Sequence, residues 1–150
     1  MKKLKLKPDT HINNMRIRGW IEAKDVYELR NVSRILNSKM RKQRKKYGLC
    51  PQKTIETYNL LINGFAQIGG SDRMEEAEKV MEHLLMDRYS RPNNETFCAL
   101  FRGYMNLKER DHEYRAEMML FWLCKMRDFK IKPNVEIVKP FTHMKIYFPS

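Results

Sequence analysis

The chain has 150 residues, 42% of them hydrophobic and 32% charged, which excludes a disordered polymer and is enough for one domain with a sizeable core. No run approaches the roughly 20 apolar residues of a membrane span. Thirty Lys and Arg against 18 Asp and Glu give a net charge of +12, so nucleic acid is the expected partner, ahead of an anionic membrane or an acidic protein surface.

Cys50, Cys98 and Cys124 form an odd, widely spaced set, unlike the dense framework of a small secreted domain, and fit a reducing compartment. The opening MKKLKLKP is basic but has neither a secretory apolar region nor the Arg- and Ser-rich character of a transit peptide, so no targeting signal is legible.

Taken in order, the chain repeats itself. Pro8, Pro51, Pro92 and Pro133 are spaced by 43, 41 and 41 residues, and each is followed by a polar residue, Asp9, Gln52, Asn93 or Asn134. Behind the first three come Gly19, Gly64 and Gly103, each followed by an aromatic residue. Such a period is the mark of a repeat architecture. The first unit opens with THINNMRIRGWIEAKD, where Arg16 stands at a position that is apolar in the later units. A second helix follows over Val26–Lys46, with Leu29, Val32, Ile35, Leu36 and Met40 on its apolar side.

The middle unit places Tyr58, Leu61, Ile62 and Phe65 at i, i+3, i+4 and i+7, a buried helical stripe over residues 55–68. Its second helix, SDRMEEAEKVMEHLLMD, buries Ala77, Val80, Met81, Leu84 and Leu85, with Asp72 and Glu75 as candidate N-terminal caps. The third unit repeats the stripe as Phe97, Leu100, Phe101 and Tyr104. It continues in a helix over Tyr114–Phe129, whose Met118, Met119, Phe121, Trp122 and Met126 are read as core or a partner-facing edge. Pro stops each second helix, so each unit is a helical hairpin that buries its faces only by stacking on its neighbours.

The expected fold is therefore all-α, a right-handed α-solenoid of about three helix-turn-helix repeats at 9–52, 53–93 and 94–134. Residues 135–150 form a partial fourth unit or a C-terminal tail.

The segments ETYNLLINGFAQIGG, MEEAEKVMEHLL and RPN resemble a pentatricopeptide repeat, and ETFCALFRGYM with MRDFKIKPN resembles a second. The resemblance covers about residues 53–134, and more weakly 9–52. Repeats of this family read single-stranded RNA, one base per helical unit. It implies base-facing side chains at Asn14, Asn59 and Cys98 on the first helices and at Gln52, Asn93 and Asn134 behind the closing prolines. An Asn59 and Asn93 pair would favour a pyrimidine. The flanking positions are His11, Glu56 and Glu95, where the family carries an apolar residue, and two carboxylates beside an RNA groove repel phosphate. Ordinary capping and surface amides are the alternative for Asn59 and Asn93, and Asn94 and Asn134 are also candidate helix caps.

SKMRKQRKKYG gathers Lys39, Arg41, Lys42, Arg44, Lys45 and Lys46, more cations than a helix C-terminus needs, and is read as a phosphate-binding run. His11, His83, His112 and His143 show no metal-ligand spacing, and no nucleophile or glycine-rich phosphate cradle accompanies the charged RDHEY. No enzyme, cofactor or metal is expected. The family resemblance implies an RNA-binding subunit of an organellar ribonucleoprotein, a mitochondrial ribosome contacting rRNA, with neighbouring protein subunits as further partners. The alternatives are a protein adaptor that uses its concave groove without reading bases, and a transcript-processing factor built from more repeats than this chain has.

Overall fold

The computed structural model describes residues 10–36, 54–88, 90–108, 110 and 112–143. Among them the regular structure is seven helices: α1 (Thr10–Glu22), α2 (Val26–Leu36), α3 (Ile55–Ile68), α4 (Ser71–Met86), α5 (Asn94–Met105), α6 (His112–Asp128) and α7 (Val135–His143). No strand occurs among the described residues, so the fold is all-α.

The periodic stripes are what the helices bury. Tyr58, Leu61, Ile62 and Phe65 of α3, and Phe97, Leu100, Phe101 and Tyr104 of α5, are each at most 1% exposed. Ala77, Val80, Met81 and Leu84 of α4 are fully covered, as is Leu29 of α2. In α1 the weaker pattern still delivers Ile17, which is buried, while Arg16 turns outward. The six consecutive apolar residues 118–123 in α6 cannot share one face of a helix with 3.6 residues per turn. Accordingly Met119, Trp122 and Met126 enter the core, whereas Leu120 and Phe121 stay exposed.

Packing runs between sequence neighbours. Each hairpin joins its own two helices, α1 with α2, α3 with α4 and α5 with α6. The first helices then pack in order, α1 on α3, α3 on α5 and α5 on α7, with α3 at the centre. Gly64 and Gly103 mark two close approaches, Gly64 against Ile21 of α1 and Gly103 against Ala66 and Met74. Gly19, the third glycine of the series, faces open space.

Two departures concern helix ends. Asp72 and Glu75 do not cap α4, because the turn from α3 consists of Gly69 and Gly70 alone, both at positive φ (83° and 96°), and Gly70 is the N-cap without a side-chain bond. That places Asp72 two residues beyond the cap, inside the helix. At α5 the cap is Asn93, with a reciprocal capping box to Thr96, while Asn94 is the first helical residue. The second helix predicted over Val26–Lys46 is described from Val26 to Leu36.

Polar groups tie the hairpins inside. Tyr58 Oη donates to Asp87 Oδ2 at 2.7 Å, fastening α3 to the end of α4. Tyr104 Oη donates to Glu78 Oε1 and accepts from Trp122 Nε1 at 3.0 Å, so a single hydroxyl links α4, α5 and α6. Burial raises the Glu78 carboxyl above its ordinary value, against the lowering effect of the Tyr104 hydrogen bond, and the nearby Glu75 and Glu82 raise it further. Burial and the Glu78 charge likewise push the Tyr104 phenol upward, so it remains a donor.

Candidate nucleic-acid interface

Along the row of first helices runs a ladder of polar side chains. On α1, Asn14 is 2% exposed, and its Oδ1 accepts from Thr57 Oγ1 of α3 at 2.9 Å. On α3, Asn59 is 5% exposed, with its Oδ1 accepting from Thr96 Oγ1 at 2.5 Å and its Nδ2 donating to Asn93 Oδ1 at 3.3 Å. On α5, Cys98 Sγ lies 3.8 Å from Asn134 Oδ1, and burial pushes the Cys98 thiol up. Each rung leaves a first helix and lands on the first turn of the next hairpin.

The landing residues are helix caps or their partners. Asn93 Oδ1 also accepts from Thr96 N at 3.1 Å, and Asn134 Oδ1 accepts from Ile137 N at 3.0 Å at the head of α7. At the head of α3 the capping residue is Thr54, whose Oγ1 accepts from Thr57 N at 3.4 Å. Thr54 is thus the structural counterpart of Asn93. From each of these two caps the buried glycine follows at the same distance, Gly64 after Thr54 and Gly103 after Asn93. Gln52 lies outside the described residues.

The structure brings Asn59 and Asn93 together, and Cys98 and Asn134 together. It also adds Thr57 and Thr96, buried at 2% and 0%, which the sequence reading did not single out. Their signal was present: a Thr stands three residues after each of the two caps and two before Asn59 or Cys98.

Beside the ladder, a concave pocket of about 300 Å³ opens between α1, α3 and α5. Ile55 and Leu60 line it, and Glu56, Asn63, Asn93 and Glu95 supply polar groups. Arg18 reaches over from α1 to Glu56 at 3.3 Å, a pair more than half exposed at both ends and so worth little to stability. Asn93 is itself exposed, so the part of its amide not bound to Asn59 and Thr96 faces solvent.

The run Lys39, Arg41, Lys42, Arg44, Lys45 and Lys46, expected from the sequence to bind phosphate, lies outside the described residues. Its weight in the electrostatics follows from composition. Twelve of the 30 Lys and Arg, but only three of the 18 Asp and Glu, fall outside the described residues, so the described helices are close to charge balance. No helix among the described residues is long and apolar enough to cross a membrane.

No family model, curated protein or solved structure matches the chain.

Proposed function

We propose that the chain is a right-handed α-solenoid of pentatricopeptide-like hairpins that holds single-stranded RNA mainly through phosphate contacts. The observation that carries this reading is the charge pattern of the sequence: 30 Lys and Arg stand against 18 Asp and Glu, and six of those cations, Lys39, Arg41, Lys42, Arg44, Lys45 and Lys46, fall within eight residues. The frame supports it, since described helices whose main contacts are with their own and adjacent hairpins suit a stacked array with one continuous row of first helices. Satisfied rungs at Asn14 and Asn59 favour phosphate contact over base reading, because those groups already have partners. In this reading the protein works inside an organellar ribonucleoprotein, a mitochondrial ribosome contacting rRNA, with protein subunits as neighbours.

The test is a titration of the purified chain against uridine-rich and mixed single-stranded RNA at several salt concentrations. Each phosphate contact contributes about 0.7 to the log–log salt slope, so exchanging Lys39, Arg41, Lys42, Arg44, Lys45 and Lys46 for Gln should lower the slope by about 4. Absence of binding at low salt would overturn the reading. It would favour an adaptor whose groove takes a basic protein segment, the alternative for which Glu56 and Glu95 speak by flanking the pocket with negative charge.

A further inference from the structure

The second helices carry a separate cleft. Between α2 and α4 lies a cavity of about 600 Å³, twice the volume of the pocket beside the ladder and within the range that holds a small organic ligand. Tyr27, Arg30 and Arg34 line it from α2, and Glu76, Lys79 and His83 from α4. Both triplets are spaced i, i+3 and i+7, so each presents a single helical face to the cavity.

The charges within it do not cancel. Glu76 is the one carboxylate in the lining, and it is shared: its Oε1 lies 3.8 Å from Arg30 Nε and 3.5 Å from Lys79 Nζ. Arg34 Nη2 donates to the neutral Asn31 Oδ1 at 2.9 Å. Three permanent cations therefore face a single carboxylate. At the rim Tyr27 is 77% exposed, a large aromatic ring left in water beside guanidinium groups. Cations that take phosphate next to an uncovered ring on which a base can stack are the two ingredients of single-strand binding.

We infer that the α2/α4 cleft is a second RNA contact, taking a phosphate on Arg30, Arg34 and Lys79 and a base on the face of Tyr27. The inference rests on the RNA-binding reading above and adds to it a site on the second helices, away from the row of first helices. Its composition also explains Glu76. The carboxylate holds Arg30 and Lys79 in place while the cleft is empty and opposes phosphate when it fills.

The experiment uses the full chain and a fluorescein-labelled 12-nucleotide RNA, followed by anisotropy across a salt series. All altered side chains except Glu76 are exposed, and circular dichroism checks the helical content of each variant. Tyr27→Leu should weaken binding by about 5- to 150-fold with the salt slope unchanged, because stacking does not release counterions. The combined Arg30→Gln, Arg34→Gln, Lys79→Gln variant should lower the slope by about 2. Glu76→Gln should tighten binding, a gain that a damaged fold would not give. If the wild-type chain binds RNA and none of these variants changes it, the cleft inference falls while the RNA reading stands. If the wild type binds no RNA, both fall. Displacement of the RNA by polyglutamate, combined with indifference to Tyr27→Leu, would assign the cleft to an acidic protein and overturn the inference.

Discussion

Placing alanine at each of the three repeat glycines should give three different answers, and Gly103→Ala is the most informative. Removing a glycine from a helix interior gains roughly 1 kcal/mol from backbone entropy alone. At Gly103 the added Cβ would sit 2.5 Å from Met74 Sδ and 2.8 Å from Ala66 Cβ, against an optimal carbon separation of about 3.5–4.0 Å. Met74 has rotatable bonds with which to withdraw, although it is only 2% exposed. Ala66 has none, because its Cβ is fixed to α3. The only relief is for α3 and α5 to separate by about 1 Å along an extensive helix contact. Overpacking costs about 1–3 kcal/mol, and an approach under 3 Å to the fixed Ala66 Cβ belongs to the upper part of that range, about 2–3 kcal/mol, so after the propensity gain the net destabilisation should be about 1–2 kcal/mol.

At Gly64 the obstacle is the Ile21 side chain, at 2.6 and 2.7 Å, which is only partly buried and can turn aside. The net effect there should be small. Gly19 meets nothing within 4 Å, so Gly19→Ala should stabilise by up to about 1 kcal/mol. Thermal unfolding followed by circular dichroism reads the series. For a chain of this size, about 2–4 °C per kcal/mol puts Gly103→Ala some 2–8 °C below wild type, with Gly19→Ala above it. Adding Ala66→Gly to Gly103→Ala removes the fixed methyl group and should recover part of the loss. A Gly103→Ala protein as stable as wild type would refute the idea that α3 and α5 meet at this glycine.

Two further outcomes follow from the buried polar groups. Thr96→Val removes the donor to Asn59 and the acceptor for Asn93 N at a fully buried site, so urea unfolding should show a loss of about 1–3 kcal/mol. Glu78 has a raised carboxyl, which means the folded state holds its proton more tightly than the unfolded one. Its stabilising contribution is then complete below the ordinary carboxylate value and declines as pH rises through that value toward the raised one. Glu78→Gln keeps an acceptor for Tyr104 and should flatten this decline, so the stability difference from wild type grows from pH 4 toward pH 7. Parallel curves would show that Glu78 does not contribute to the pH dependence.

Most of the hairpin frame was readable because burial repeats along a helix every 3.6 residues, and that period survives in the sequence whatever lies opposite. Tyr58, Leu61, Ile62 and Phe65 declare a face without naming the neighbour that covers it. Helix ends were less readable. Asn93 and Asn94 are equally good caps as residue types, and only the bond to Thr96 decides between them. The Gly69–Gly70 turn displaced the expected cap of α4 because two positive φ angles start the helix at Ser71. The direction in which an amide spends its hydrogen bonds was not readable at all. Asn59 carries the same sequence signal whether it faces solvent or Thr96, since the partner stands 37 residues away and meets it only through the packing of α3 on α5.

The engaged Asn59 amide would also govern how a strand of RNA is held. A base edge approaching Asn59 must compete for an Oδ1 already engaged by Thr96 and an Nδ2 already engaged by Asn93. Giving up such bonds costs about 0.5–1.5 kcal/mol each, while a good base contact returns about 1–3 kcal/mol. The difference leaves little for discrimination at one position. The exposed remainder of the Asn93 amide escapes this competition, so a base in the pocket would meet Asn93 and Asn63 before it met Asn59. Within the frame the rungs have a use that needs no ligand. Each buried donor finds its acceptor only when consecutive hairpins are in one axial register, because a slip would strand Thr57, Asn59 and Thr96 unpaired in the core. A ladder that fixes the stacking of the hairpins also fixes the spacing between sites on successive units. In the RNA-binding reading proposed above, phosphates, which repeat along a strand whatever its sequence, would be the ligand groups best matched to such a fixed spacing.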